Sequence, residues 1–137
     1  MDFKIDNQLE EFRQEINDFL EHQPVEDIVL ELEAGKGPGP HSRRFWKELG
    51  KKGWLSPTLP KEYGGLGGNQ WQRFVLIDEL SYRQVVPDML PGAQIVAPTL
   101  LLFGSDDQKR TLVPEIVRGD IEFALGYTEP EAGSDLT

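Results

Sequence analysis

Cysteine is absent from this chain of 137 residues, which excludes a disulfide frame and a thiolate metal site. Histidine is scarce. His22 and His41 stand too far apart for a local zinc pair, and no His-Glu-x-x-His spacing occurs. Long apolar runs are missing too: no stretch could span a membrane, and Met1-Asp2-Phe3-Lys4 lacks the apolar core of a signal peptide. The expected location is therefore the cytoplasm, or the mitochondrial matrix in a eukaryote. Positive charge is in short supply, with 14 Lys and Arg against 24 Asp and Glu, a net charge of −10. Residues 1–34 hold eleven acids against Lys4 and Arg13, so the remainder is nearly neutral. That balance argues against nucleic acid as a partner, because phosphate neutralisation needs clustered Lys and Arg. The acidic N-terminal stretch reads as solvated surface. Internal repeats and low-complexity tracts are likewise absent, and the length suits one domain with a core.

What is present is mostly helical pattern. Ile5, Leu9, Phe12, Ile16, Phe19 and Leu20 form the stripe of an amphipathic helix. Asn7 with Glu10 resembles a capping box, and Asp6 could cap equally well. Gln23-Pro24 ends the run, residues 25–34 add one or two helical turns, and Gly35-Lys-Gly-Pro-Gly-Pro40 forms a loop. A second helix fits residues 42–52, with Phe45, Trp46 and Leu49 on its apolar side and Gly53 as the C-terminal stop. Arg43, Arg44, Lys47, Lys51 and Lys52 make it the one basic patch. Spacing alone does not aim five side chains at one anion, so a solvated face that balances the acidic first helix is the preferred reading.

The next stretch, residues 54–68, carries two early prolines and four late glycines, and predicts an extended, anchored loop. Its spacing matches neither GxGxxG nor the phosphate loop. A third helix spans residues 71–85. Phe74, Val75, Leu76, Ile77, Leu80 and Tyr82 make it apolar around most of its girth, which predicts a central position. A fourth runs from about Ala93 to Phe103 with Pro98 inside, implying a kink or a displaced start. Ser105 and Gln108 form a capping-box pair for a short helix, after which Pro114 opens a last turn toward Gly119. Strand character appears only at residues 121–127. One strand cannot make a sheet, so a further domain is expected beyond it.

That strand leads into Thr128-Glu-Pro-Glu-Ala-Gly-Ser-Asp135. Pro130 fixes its own φ and biases Glu129 toward extended backbone, and Gly133 permits close approach of a ligand. Thr-Glu-Pro-x-Ala-Gly-Ser-Asp resembles the flavin-contacting signature of the acyl-CoA dehydrogenase family. Pro60-Lys-Glu-Tyr-Gly-Gly-Leu-Gly67 is similar to a loop between that family's early helices, and Phe103-Gly-Ser-Asp-Asp-Gln-Lys109, Leu112-Val-Pro114 and Gly119 follow in the family's order. The resemblance covers nearly the whole chain. It implies an all-α N-terminal helical domain (residues 1–119) ending in the first strand and flavin-motif loop of a truncated middle β-domain (residues 120–137).

The resemblance further implies an FAD enzyme that oxidises an acyl-CoA thioester to its 2,3-enoyl-CoA and passes electrons to an electron-transferring flavoprotein. The complete enzyme would be a homo- or hetero-oligomer. Cofactor contacts fall on Leu125, Gly126, Tyr127, Thr128, Gly133 and Ser134, with Ser134 also beside the CoA arm. Residues 87–98 would line the far end of the acyl pocket. The family's catalytic glutamate belongs to a C-terminal helical domain, and none of Glu115, Glu122, Glu129 or Glu131 aligns with it. The chain alone is thus expected to be inactive. Three forms stay open: a portion of a longer dehydrogenase, one half of a split or heteromeric flavoenzyme, or a non-catalytic helical module that binds a protein. Acyl-CoA oxidases and flavin monooxygenases of the superfamily share the same motifs.

Overall fold

A computed structural model describes residues 6–87, 90–124, 126 and 129–130. The first helix, α1 (Asn7–Glu21), starts where Asp6, in extended backbone, accepts a hydrogen bond from the Gln8 N–H at 2.6 Å. Asp6, not Asn7, is therefore the cap. Phe12, Ile16 and Leu20 form the buried stripe of α1. Phe12 meets the Trp54 ring edge-on at 5.7 Å, and Phe19 does so at 5.3 Å while stacking on Phe45 at 6.0 Å. Such pairs add about 0.5–1.5 kcal/mol beyond their area.

Helix α2 (Val25–Glu33) buries Ile28 and leaves Leu30 exposed. Helix α3 (Pro40–Lys51) begins with Pro40, whose missing N–H would have been unpaired there anyway. The other free donors of its first turn are met from outside. The Glu31 carboxylate accepts from the His41 N–H at 3.0 Å, the Ser42 N–H at 2.8 Å and the Ser42 hydroxyl at 2.8 Å. Gly39 makes room for this clamp, since a Cβ on it would stand 2.2 Å from the Glu31 carboxyl carbon. Beyond α3, Gly53 turns the chain at φ +70°.

Residues 54–68 are folded rather than extended. Trp54, Leu55 and Leu59 are buried, and a 3₁₀ turn at Lys61–Tyr63 ends at Gly64 with φ +93°. Gly65, Gly67 and Gly68 donate back to the carbonyls of Pro60, Leu59 and Pro57 at 3.2, 2.8 and 2.9 Å. The glycines let the chain double onto itself: a Cβ on Gly65 would lie 2.2 Å from the Leu59 oxygen.

Helix α4 (Gln70–Tyr82) opens with a capping box between Asn69 and Gln72 and packs on α1. Val75, Leu76 and Leu80 are buried, but Trp71, Phe74 and Tyr82 are 66%, 56% and 83% exposed. The helix is thus not enclosed on all sides, contrary to its apolar girth. It stops before Val85, because Gln84 turns at φ +59°. A polar pair crosses the α1–α4 contact: Arg13 bonds to Glu79, which is 8% exposed, and to Asp78 at 3.1 Å.

The kink expected at Pro98 takes a definite form. A π-helical turn (Gly92–Val96) precedes α5 (Ala97–Phe103), and the Ala97 N–H reaches back five residues to the Gly92 carbonyl. Proline has no N–H and its ring crowds the preceding turn, so widening that turn by one residue accommodates Pro98 at the start of α5. Helix α6 (Asp106–Val117) carries the expected Ser105–Gln108 capping box. Pro114 lies inside α6 instead of opening a new turn, because buried Val113, Ile116 and Val117 keep the helix continuous against the core. The core joins α1, α3, α4 and α6 with Trp54, Leu55, Leu59 and Val85.

No strand forms at residues 121–124, where the backbone is irregular. The strand character there has no neighbouring strand to pair with among the described residues, and a lone strand is not a stable element.

Candidate active site

Two structural features lie beside the stretches singled out from the sequence. The first is a cavity of about 250 Å³ between the start of the Trp54 loop, α4 and the helical stretch that begins at Leu90. Leu55, Leu76 and Ile77 wall one side, and Leu90, Ala93 and Pro98 the other. Within residues 87–98, then, Leu90, Ala93, Gln94 and Pro98 line a real hollow. Its polar wall consists of Ser56, Thr58, Gln70, Arg73 and Gln94. The Arg73 guanidinium donates to Gln94 Oε1 at 3.0 Å and to Gln70 Oε1 at 3.4 Å. Sequence reasoning did not single out Arg73 or Gln94. They are 21 positions apart, and no local pattern says that α4 and the π-helical turn will bring them together.

The second feature is the approach to the Thr-Glu-Pro segment. Phe123 packs over Gly92 and beside Ile116: a Cβ on Gly92 would lie 3.4 Å from the Phe123 ring and 3.6 Å from Ile116. The preceding residues are tied to α3. Lys47 reaches Asp120 at 2.5 Å, Arg118 reaches the same carboxylate at 2.7 Å, and Arg43 reaches Glu122 at 3.2 Å. Hydrogen bonds from Lys47 and then Arg118 hold the Asp120 carboxyl below the usual carboxylate range. The basic face of α3 is therefore largely matched internally. Lys51 pairs with Glu48 and Lys52 with Glu15 of α1, as the balancing-face reading expects.

Of the expected cofactor contacts, Gly126 is described: it is exposed, and a Cβ there would meet nothing within 4 Å. Leu125, Tyr127, Thr128, Gly133 and Ser134 lie outside the described residues, as does Glu131. Glu122 serves as the partner of Arg43, and Glu129 is exposed. Among the described residues no group of His, Asp or Glu could hold a metal ion, and no helix is long and apolar enough to cross a membrane.

The family described as acyl-CoA dehydrogenase, N-terminal domain, matches residues 6–120. Acyl-CoA dehydrogenase FadE26 of Mycobacterium tuberculosis is 35% identical over 133 residues, which are 94% of this chain and 33% of that protein. Two solved structures are similar across 99% of the chain. The Tcur3481-Tcur3483 steroid ACAD has a TM-score of 0.85 at 39% identity, with 35% of its chain covered. The ChsE4-ChsE5 complex from Mycobacterium tuberculosis has a TM-score of 0.80 at 33% identity, with 34% covered. The chain thus spans about a third of the length of these relatives. Sequence, helix order and backbone agree, and the chain belongs to the acyl-CoA dehydrogenase family, whose N-terminal helical domain it forms.

Proposed function

We propose that the chain supplies the N-terminal domain and the first flavin-contacting segment of an FAD-dependent acyl-CoA dehydrogenase. The enzyme would convert an acyl-CoA thioester to its 2,3-enoyl-CoA. The observation that carries this reading is Thr128-Glu-Pro-Glu-Ala-Gly-Ser-Asp135 in a chain of that family. FAD, when bound, supplies the acceptor for the β-hydride. The protein's part is to bind and orient. Thr128 would hold the flavin edge, Leu125, Gly126, Tyr127, Gly133 and Ser134 would supply the other cofactor contacts, and Ser134 would also meet the CoA arm. Open space around Gly126 fits the approach of a planar ring to the main chain. The cavity beside α4 receives the end of the acyl group remote from the thioester.

No glutamate of this chain is assigned the α-proton, which passes to a base in the rest of the enzyme. Electrons leave to an electron-transferring flavoprotein. A two-chain assembly is the second form of this reading, favoured by the paired names of the two similar structures. In that form a partner chain holds the base.

The test uses the complete enzyme that contains this chain, with its partner if there is one. Flavin absorbance that bleaches on anaerobic addition of an acyl-CoA supports the reading. A preparation without flavin, or flavin that stays oxidised with every thioester, overturns it. In the same preparation Thr128→Val should weaken FAD binding about 5- to 10-fold, the loss of one hydrogen bond. Equilibrium dialysis measures it, and unchanged affinity removes Thr128 from the site.

A further inference from the structure

Among the described residues, the groups that meet Arg73 orient its charge without cancelling it. Arg13, Arg43, Arg110 and Arg118 each meet a carboxylate. Among the described residues Arg73 meets none. Its partners are the neutral side-chain oxygens of Gln94 and Gln70, one from the π-helical turn and one from the preceding turn of α4. A guanidinium has five N–H donors in a rigid fork, and two are used here. Both glutamines line the same cavity as Arg73. Two neutral acceptors, one on α4 itself and one on the π-helical turn, thus set the angle of a cationic fork and leave donors unspent.

The cavity, about 250 Å³, is smaller than the roughly 300–1,000 Å³ that houses a whole drug-sized ligand. It suits the end of a longer molecule. A purely hydrocarbon end would displace water from a guanidinium and return no hydrogen bond, which is unfavourable. An end that carries an acceptor oxygen restores what water provided, in a geometry already set.

Resting on the acyl-CoA reading above, we propose that Arg73 is a specificity-determining residue that receives a keto or carboxylate oxygen at the remote end of the acyl group. Gln70 and Gln94 are its positioning residues.

The test compares kcat/KM of the complete FAD-loaded enzyme on three acyl-CoA thioesters of equal length, ending in a methyl, a methyl ketone and a carboxylate. The wild-type enzyme is expected to favour an oxygen-ended thioester over the methyl-ended one by about 10- to 100-fold, the range for a hydrogen bond to a charged group. The thioester that gains tells keto from carboxylate. Arg73→Met should bring that ratio close to one. Arg73→Lys keeps the cation but not the fork, should retain part of the ratio, and serves if the Met variant fails to fold. Gln94→Glu cancels the charge with the guanidinium still in place, and should lower the ratio for the carboxylate-ended thioester more than for the ketone. A wild-type ratio near one overturns the inference while the dehydrogenase reading stands. So does an Arg73→Met enzyme that loses all three activities in equal proportion, which marks a structural role. If none of the thioesters reduces the flavin, the dehydrogenase reading itself fails.

Discussion

Glu31 shows how one side chain settles how two helices meet. Partial burial alone would raise its pKa. The N–H groups of Ser42 and His41, with the Ser42 hydroxyl, outweigh that and hold the carboxyl below its usual range. A lowered folded-state pKa means the carboxylate's contribution is full above the unfolded glutamate value and is lost as pH falls through the folded one. Glu31→Gln should therefore unfold at lower denaturant than wild type at neutral pH, and the two curves should converge in acid. A gap that widens toward acid contradicts this account. Arg13 and Glu79 present a different balance. Desolvation disfavours the Arg13 cation, but Asp78 and Glu79 more than compensate and raise its pKa. Arg13→Met strands the nearly buried Glu79 carboxylate and should cost about 1–3 kcal/mol in urea unfolding. Adding Glu79→Leu should recover most of that, because an apolar pair of similar volume replaces a buried ion pair at little cost. A double variant no better than the single would contradict the assignment.

At the scale of elements, glycine shows how packing overrides propensity. Gly50 is inside α3, where alanine would ordinarily stabilise by about 0.5–1 kcal/mol. Here a Cβ would stand 2.4 Å from the Arg118 carbonyl oxygen at the end of α6, a backbone atom that cannot swing aside. Gly50→Ala should thus lower the thermal midpoint by several degrees, and an increase would mean that α3 and α6 can part. Helices of this chain were legible because their signals are local: the stripe from Phe12 to Leu20, the Ser105–Gln108 box, Gly53 as a stop. What escaped reading depends on partners distant in sequence. Pro114 looks like a boundary until Val113, Ile116 and Val117 are seen holding α6 to the core. Residues 54–68 look extended until Gly65, Gly67 and Gly68 are seen bonding backwards. The cavity was legible as a stretch, residues 87–98, but not as chemistry, because Arg73 and Gln94 meet only once α4 and the π-helical turn pack.

Taken whole, the molecule is lopsided in charge, with nearly all of its net −10 in residues 1–34. Among the described residues, Lys52–Glu15 links this acidic region to the basic face of α3. Repulsion within α1 and α2 should dominate at low salt. Raising ionic strength from about 0.01 to about 0.15 M shortens the screening length from about 30 to about 8 Å and should raise the thermal midpoint. A fall would mean that attractive pairs such as Arg13–Glu79 outweigh the repulsion. Between α2 and α3, Gly35 and Gly37 take φ of +64° and +81°, and a side chain on either would meet nothing within 4 Å. The covalent link there is uncrowded, while the Glu31 clamp joins the same two helices through space. Connectivity and cohesion are therefore separable at this corner. A protease cut at residues 35–37 should yield two fragments that travel as one species, held by the packing of α1 on α4 as well as by the Glu31 clamp, and the same corner is where a circularly permuted chain could begin.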